Sequence, residues 1–300
     1  MGFMTAMKAG RAYRLQKKGE TEEAIRVYEE AYADGLNDPR FNLAYAMLII
    51  RKGEYQKAKE FLVKHQKTPG MTPDQRVNLL VYYAACCFRL GDLDKGISTL
   101  EQQFRKTETG LLFQTLGYLY VEKFDLSRKQ AFLEKAAAEI KAREAAEAAA
   151  AAETQEGAAT QGDTLPAARD ANPDEAEAAP AAPRTPEEAW EQGVEKAEAF
   201  IRRGVEYDDE DPVCLDNMGQ FLYRVKGDRE GAKPWFDKAL EQKEGQIDTL
   251  YFLSRYDEEA GRKDAAAARL EKALEGRFSP LNYCSREMAE AELARLKGEK

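Results

Sequence analysis

The sequence predicts an all-α chain: a right-handed α-solenoid of about six helix-turn-helix repeats, finished by a C-terminal capping helix. Three observations carry that expectation. The stretch Gly227–Leu240, GDREGAKPWFDKAL, sets Ala232, Phe236, Ala239 and Leu240 along one helix face, at the spacing of a single buried stripe. The same frame returns at Gly261 as GRKDAAAARLEKAL and near the start at Gly19 as GETEEAIRVYEEAY, while Gly53 opens GEYQKAKEFL. Paired positions fall about 34 residues apart, the length of one helical hairpin. Helix starts are marked by Asp38-Pro39, Thr72-Pro73-Asp74-Gln75 and Asp211-Pro212, where an acceptor side chain caps free N–H groups and proline fits the first turn.

Taken in order, the first hairpin has a helix with Met7, Ala12 and Leu15 inward, a turn at Lys18-Gly19, and a second helix with Ala24, Tyr28 and Ala31 inward. The second pairs Leu43, Ala46 and Ile49 with Ala58, Phe61 and Leu62 across Gly53. The third has an unusually apolar first helix (Leu79, Leu80, Tyr83, Ala84, Cys87), as suits a helix packed on both sides, then Gly91, then Ile97 and Leu100. The fourth begins with Phe113, Leu116, Gly117 and Tyr120, and its pattern breaks after Phe124. The fifth carries Leu215, Met218, Gly219 and Leu222 before Gly227; the sixth carries Leu250, Leu253 and Ser254 before Gly261. Ser285 caps a last helix with Met288, Ala291 and Leu296, polar enough to close an open stack.

The interruption defines three segments. Residues 1–135 hold repeats one to three and the first helix of repeat four. Residues 136–185 form an Ala/Glu-rich insertion, helical at its start and disordered from Thr154 to Thr185, because alanine favours helix but offers nothing large to bury. Residues 186–300 resume with the capping box Thr185-Pro186-Glu187-Glu188 and a helix (Ala197, Ile201, Gly204, Val205) that reads as the missing second helix of repeat four.

The stretches NMGQFLYRVKGDREGAKPWFDKALE, LYFLSRYDEEAGRKDAAAARLEKALE, LGYLY and KGETEEAIRVYEEAY together resemble the tetratricopeptide repeat (TPR) family. They show its Leu-Gly and Tyr in the first helix, its turn glycine, and the Ala, aromatic and Ala of the second. The departures are Gly96 for one alanine, and His65 and Gln103 for another. The resemblance implies a non-catalytic scaffold that binds a peptide or protein segment in a concave groove lined by the first helix of each hairpin. Carried over position by position, the groove residues are Tyr13, Leu43, Met47, Tyr82, Ala85, Gln114, Tyr118, Asp216, Gln220, Tyr223, Tyr251 and Arg255. Tyrosine suits such a surface because it joins a large apolar face to a hydroxyl at modest entropy cost. The clamp for a terminal carboxylate found in some members is not expected, since Ala9, Tyr13, Ala44, Asn78 and Tyr82 supply almost none of its donors. The alternative reading is structural: end-to-end self-assembly, or docking through the acidic insertion.

Composition narrows the partners. Formal net charge is −9, and nine acidic residues against two basic ones lie between Glu144 and Pro186, so the repeats are near neutral. No basic field suited to nucleic acid or an anionic membrane is expected. No apolar run is long enough to span a bilayer, and MGFMTAMKAGRAYR lacks the pattern of a signal peptide, so a cytoplasmic location is expected. Cys86, Cys87, Cys214 and Cys284 read as small buried residues in a reducing compartment. With His65 the sole histidine and no CxxC pair, neither a metal site nor any other cofactor is expected. A thiol–imidazole pair between His65 and Cys86 or Cys87 lacks an orienting partner. The run Tyr207–Asp211 lacks the alternation of a calcium loop and reads as a solvated turn with a helix cap.

Overall fold

The computed structural model describes residues 2–158 and 182–298, and every regular element among them is helical. Two compact units are distinguished: Met1–Lys123 with Ala197–Lys300, and Phe124–Lys196.

The first unit is an α-solenoid of successive hairpins. Helices α1 (Phe3–Lys18) and α2 (Thr21–Ala33) pair, as do α3 (Pro39–Arg51) with α4 (Tyr55–His65) and α5 (Pro73–Arg89) with α6 (Leu93–Phe104). Helix α7 (Gly110–Lys123) sets Phe113 against Phe200 at 5.4 Å and Tyr207 at 4.9 Å, both in the C-terminal part of α9 (Pro186–Tyr207). Helix α10 (Pro212–Gln220) continues as a π-helical turn, Phe221–Lys226, and pairs with α11 (Arg229–Gln242). Helices α12 (Ile247–Glu259) and α13 (Lys263–Leu274) form the last pair, and α14 (Arg286–Lys297) lies on α13.

The local causes are those the residue types dictate. Thr72 and Gln75 complete a capping box, Asp38 accepts from the Arg40 N–H, and Asp211 accepts from Val213 and Cys214. Gly19 adopts φ 83° and its N–H bonds Gln16, a left-handed C-cap that side-chain-bearing residues pay for in strain. The glycines at 53, 91, 227 and 261 take the same conformation in the corresponding turns.

Two faces differ from the sequence expectation at individual positions. Helix α1 buries Thr5, Ala9 and Ala12, leaving Met7 exposed, and α14 buries Ala289 with Leu293 and Leu296 packed nearby, leaving Met288 and Ala291 exposed. In both cases the flanking contacts set the rotation: the Thr5 hydroxyl donates to the Asp34 carbonyl, and Ser285 caps α14 directly after buried Cys284.

The second unit contains α8 (Lys129–Ala158), which continues four residues beyond Thr154, and the first half of α9. Its core is an aromatic triad, with Phe124, Phe132 and Trp190 at 5.2 to 5.5 Å. Gly193 leaves room for the Phe124 ring, which a Cβ there would overlap. Residues 144–150 are exposed, as a polyalanine helix with nothing large to bury should be. Most of the segment expected to be disordered, 159–181, lies outside the described residues.

Candidate binding groove

The first helices of successive hairpins line two cavities in the first unit. One, of about 230 Å³, is walled by Met47, Ile50 and Arg51 of α3 and Val81, Tyr82 and Ala85 of α5. The other, of about 490 Å³, takes Gln114 and Tyr118 from α7, Asp216 and Asn217 from α10, and Asp248 from α12. The volume of the second is in the range of small-molecule and side-chain pockets. Both cavities are also lined by the connection between α13 and α14, through Arg277, Ser279 and Leu281.

The larger cavity borders a buried polar network. Asp216 accepts from the Thr249 hydroxyl at 2.5 Å and from the Gln220 amide at 2.6 Å. Gln220 in turn accepts from Arg224 Nη1 at 2.8 Å, and Arg224 Nη2 pairs with Glu122 at 2.7 Å. The Arg224 and Glu122 side chains are 5% and 4% exposed, so this ion pair is desolvated on both sides. The Arg224 guanidinium also stacks 3.9 Å from the Tyr283 ring centroid. Asp248 accepts from Asn282 Nδ2, Tyr283 N and Cys284 N, all at 3.0 to 3.1 Å. Burial, with the Asp248 charge nearby, pushes the Asp216 carboxyl up to about 7, against the opposing Thr249, Gln220 and Arg224 contacts. Asp248 is also raised by burial, its three donors pulling the other way.

The residues expected at the groove divide into three groups. Met47, Tyr82, Ala85, Gln114, Tyr118 and Asp216 line the cavities. Gln220 is fully buried as the link between Asp216 and Arg224, and half-buried Leu43 packs on the N-terminal core. The others lie elsewhere. Tyr13 is exposed with Lys17 Nζ 5.3 Å from its ring, and Tyr223 packs on Phe252 at 5.0 Å. Tyr251 and Arg255 face the end of the array, where Arg255 bonds the Tyr251 hydroxyl and pairs with Glu292 of α14 at 2.6 Å. Sequence reasoning missed Glu122, Arg224, Thr249 and Asp248. The available signal was a cluster of polar residues in first helices that should be apolar on both sides, LDNMGQFL and IDTLYFL.

The other candidates have structural roles in the described residues. Burial raises the Cys86 and Cys284 thiols to about 12, which keeps them protonated and unreactive. The His65 ring lies against Tyr32 at 5.4 Å and Phe61 at 4.3 Å, and its pKa is lowered by burial. Asp211 uses one oxygen to cap α10 and the other to accept from Gln114 Nε2 at 2.6 Å. No helix among the described residues is long and apolar enough to cross a membrane.

The family model for anaphase-promoting complex, cyclosome, subunit 3 matches residues 17–103. No curated protein matches the chain. Among solved structures, a thermophilic TPR protein of Thermus thermophilus superposes with TM-score 0.53 at 14% identity, over 87% of this chain and 99% of that one. PilW, a widely conserved type IV pilus biogenesis factor, gives TM-score 0.53 at 11% identity, over 97% and 100%. The human IFIT1 dimer with m7Gppp-AAAA gives 0.53 at 13% identity, over 96% of this chain and 54% of that one. At these identities the likeness is one of fold, and it agrees with the succession of helical hairpins described above. The chain therefore has the fold of tetratricopeptide-repeat proteins.

Proposed function

We propose that the chain is a protein-interaction scaffold that takes an extended peptide or protein segment along the face where the first helices of its hairpins converge, without a catalytic step of its own. The observation that carries this reading is the pair of cavities on α3/α5 and α7/α10/α12, which offer apolar walls beside buried polar groups. Apolar walls supply binding energy, and fixed polar groups set register and orientation. Four free, buried thiols suit a reducing compartment such as the cytoplasm. The reading of 136–185 as an insertion within the fourth repeat rests on the Phe113–Phe200 and Phe113–Tyr207 contacts, by which α7 gains a second helix from beyond that segment.

The test is a photo-crosslinking residue placed at Tyr82 or Gln114, with exposed Gln56 as control. Partner adducts from the first two positions and not from the control are expected. Adducts from the control alone would overturn the reading.

A second reading, self-association, has its own observation: α1 exposes Phe3, Met4 and Met7, at 80%, 59% and 52%. Light scattering across a concentration series, with Phe3→Ser as comparison, separates the two. A mass that rises with concentration only in the unsubstituted protein favours assembly.

A further inference from the structure

The connection between α13 and α14 runs for eleven residues, Glu275–Ser285, where the connection between α11 and α12 needs four, Lys243–Gln246. The extra length does not loop into solvent. Arg277, Ser279 and Leu281 contribute to the walls of both cavities, so this strap partitions the face that the first helices present. Its apolar residues Phe278, Pro280 and Leu281 are half-buried, and Phe278 and Pro280 complete the wall made by Met47, Ile50 and Tyr82. Arg89 of α5 donates from Nε to the Pro280 carbonyl at 2.9 Å, across 191 residues of sequence.

The strap is pinned at both ends, and between them Phe278 packs on the C-terminal core with the Arg286 guanidinium 4.9 Å from its ring. Arg286 donates to the Leu274 and Gly276 carbonyls at its start, and Asp248 takes the three donors of Asn282, Tyr283 and Cys284 at its end. Between those anchors, Ser279 and Asn282 bond each other in a local turn, and the Arg89 contact is the hydrogen bond to another helix. A short segment that turns Phe278, Pro280 and Leu281 onto helix walls, with proline to limit its freedom and one carbonyl read by a guanidinium, is the chemistry of a docked peptide.

We propose that Arg277–Leu281 is a built-in occupant of the groove, and that the partner is a proline-containing segment with flanking apolar side chains which must displace it. This rests on the groove reading above and adds to it a competitor in the same chain. A tethered competitor acts at millimolar effective concentration, so it lowers apparent affinity for any segment that needs the same walls. Weak partners are thereby excluded, and the strap's anchors set the threshold.

The test uses the fluorescein-labelled peptide GRFSPLNY, copied from residues 276–283, and the full chain with Arg277–Leu281 replaced by Gly-Ser-Gly-Ser-Gly. Peptide binding by fluorescence anisotropy should be about tenfold or more tighter to the replaced chain than to the natural one. Equal binding to both, or binding to neither, would overturn the proposal. Should the replaced chain fail to fold, Arg89→Ala serves instead, since Arg89 is exposed. It should increase hydrogen exchange at 278–281 and tighten peptide binding, and no change in either would overturn the proposal. Crosslinking from Tyr82 and Gln114 keeps the two ideas separate. Equal partner adducts in the natural and replaced chains would sink the strap and leave the groove standing, whereas adducts in neither would sink the groove itself.

Discussion

The N-terminal hairpins and the centre of the array solve the same packing problem with different polar chemistry. In the first two hairpins, Tyr28, Tyr45, Ile49 and Leu62 fill an apolar core, and the buried polar relay within it is neutral. There Tyr32 donates to Asn42, Asn42 donates to Thr68, and Thr68 donates to the His65 carbonyl. At α7, α10 and α12 the relay is charged, running from Glu122 through Arg224 and Gln220 to Asp216, with Asp248 alongside. A neutral relay can lose a member at the cost of about one hydrogen bond, whereas a buried charge stripped of its partner keeps its full desolvation penalty. The array therefore holds its stability margin at one end and a costly, fixed polar surface in the middle. That surface borders the larger cavity.

The difference is sharpest at Arg224. Arg224→Met takes the guanidinium from a buried carboxylate and should cost roughly 3–5 kcal/mol in denaturant unfolding. Adding Glu122→Met should restore a large part of that loss. If the single variant unfolds like the natural chain, the charged network is not what fixes the centre.

The pH response comes next. Burial raises the Asp216 carboxyl to about 7 in the folded chain, while in the unfolded chain it returns to about 4. Between those values the folded form binds more protons than the unfolded one. This group's contribution to stability is therefore greatest in acid and is lost as pH rises from about 4 through about 7. The Tm of Asp216→Asn relative to the natural chain should rise from pH 5 to pH 8; a difference flat in pH would contradict the assignment. Groups whose pKa is lowered, such as Asp257 beside Arg269 and Arg262, act in both proteins and cancel in that difference.

Smaller effects test how the helices approach. Gly219 sits where a Cβ would meet the Phe236 ring at 2.7 Å, and that ring is stacked on Phe252 with centroids 5.0 Å apart. Gly219→Ala should cost about 1–3 kcal/mol by overpacking. Tyr32→Phe, in the neutral relay, should cost only about 1 kcal/mol for its hydrogen bond to Asn42. Equal losses at Arg224 and Tyr32 would erase the distinction between the two regions.

Much of this architecture is legible in the residues. Ala232, Phe236 and Ala239 recur as Ala266, Leu270 and Ala273, and both sets are fully buried. Asp38, Thr72, Asp211 and Ser285 cap the helices they precede, because a capping side chain acts on N–H groups two or three residues away. The candidate site was legible only in part. Met47, Tyr82 and Gln114 line cavities, but Arg255 pairs with Glu292 of α14 and Tyr251 packs on Tyr283 of the connection before it. The π-helical turn at Phe221–Lys226 was not expected either, and buried Arg224 lies within it.

The sequence by itself determined the hairpins, their turns and their order, since these follow from contacts between residues a few positions apart and from a stripe repeated at one period. Tertiary structure alone decided which polar side chains are desolvated and where the α13–α14 connection lies. Arg224 meets Glu122 across 102 residues, and Pro280 meets Arg89 across 191. No local pattern encodes such meetings, because they depend on how the hairpins stack upon one another.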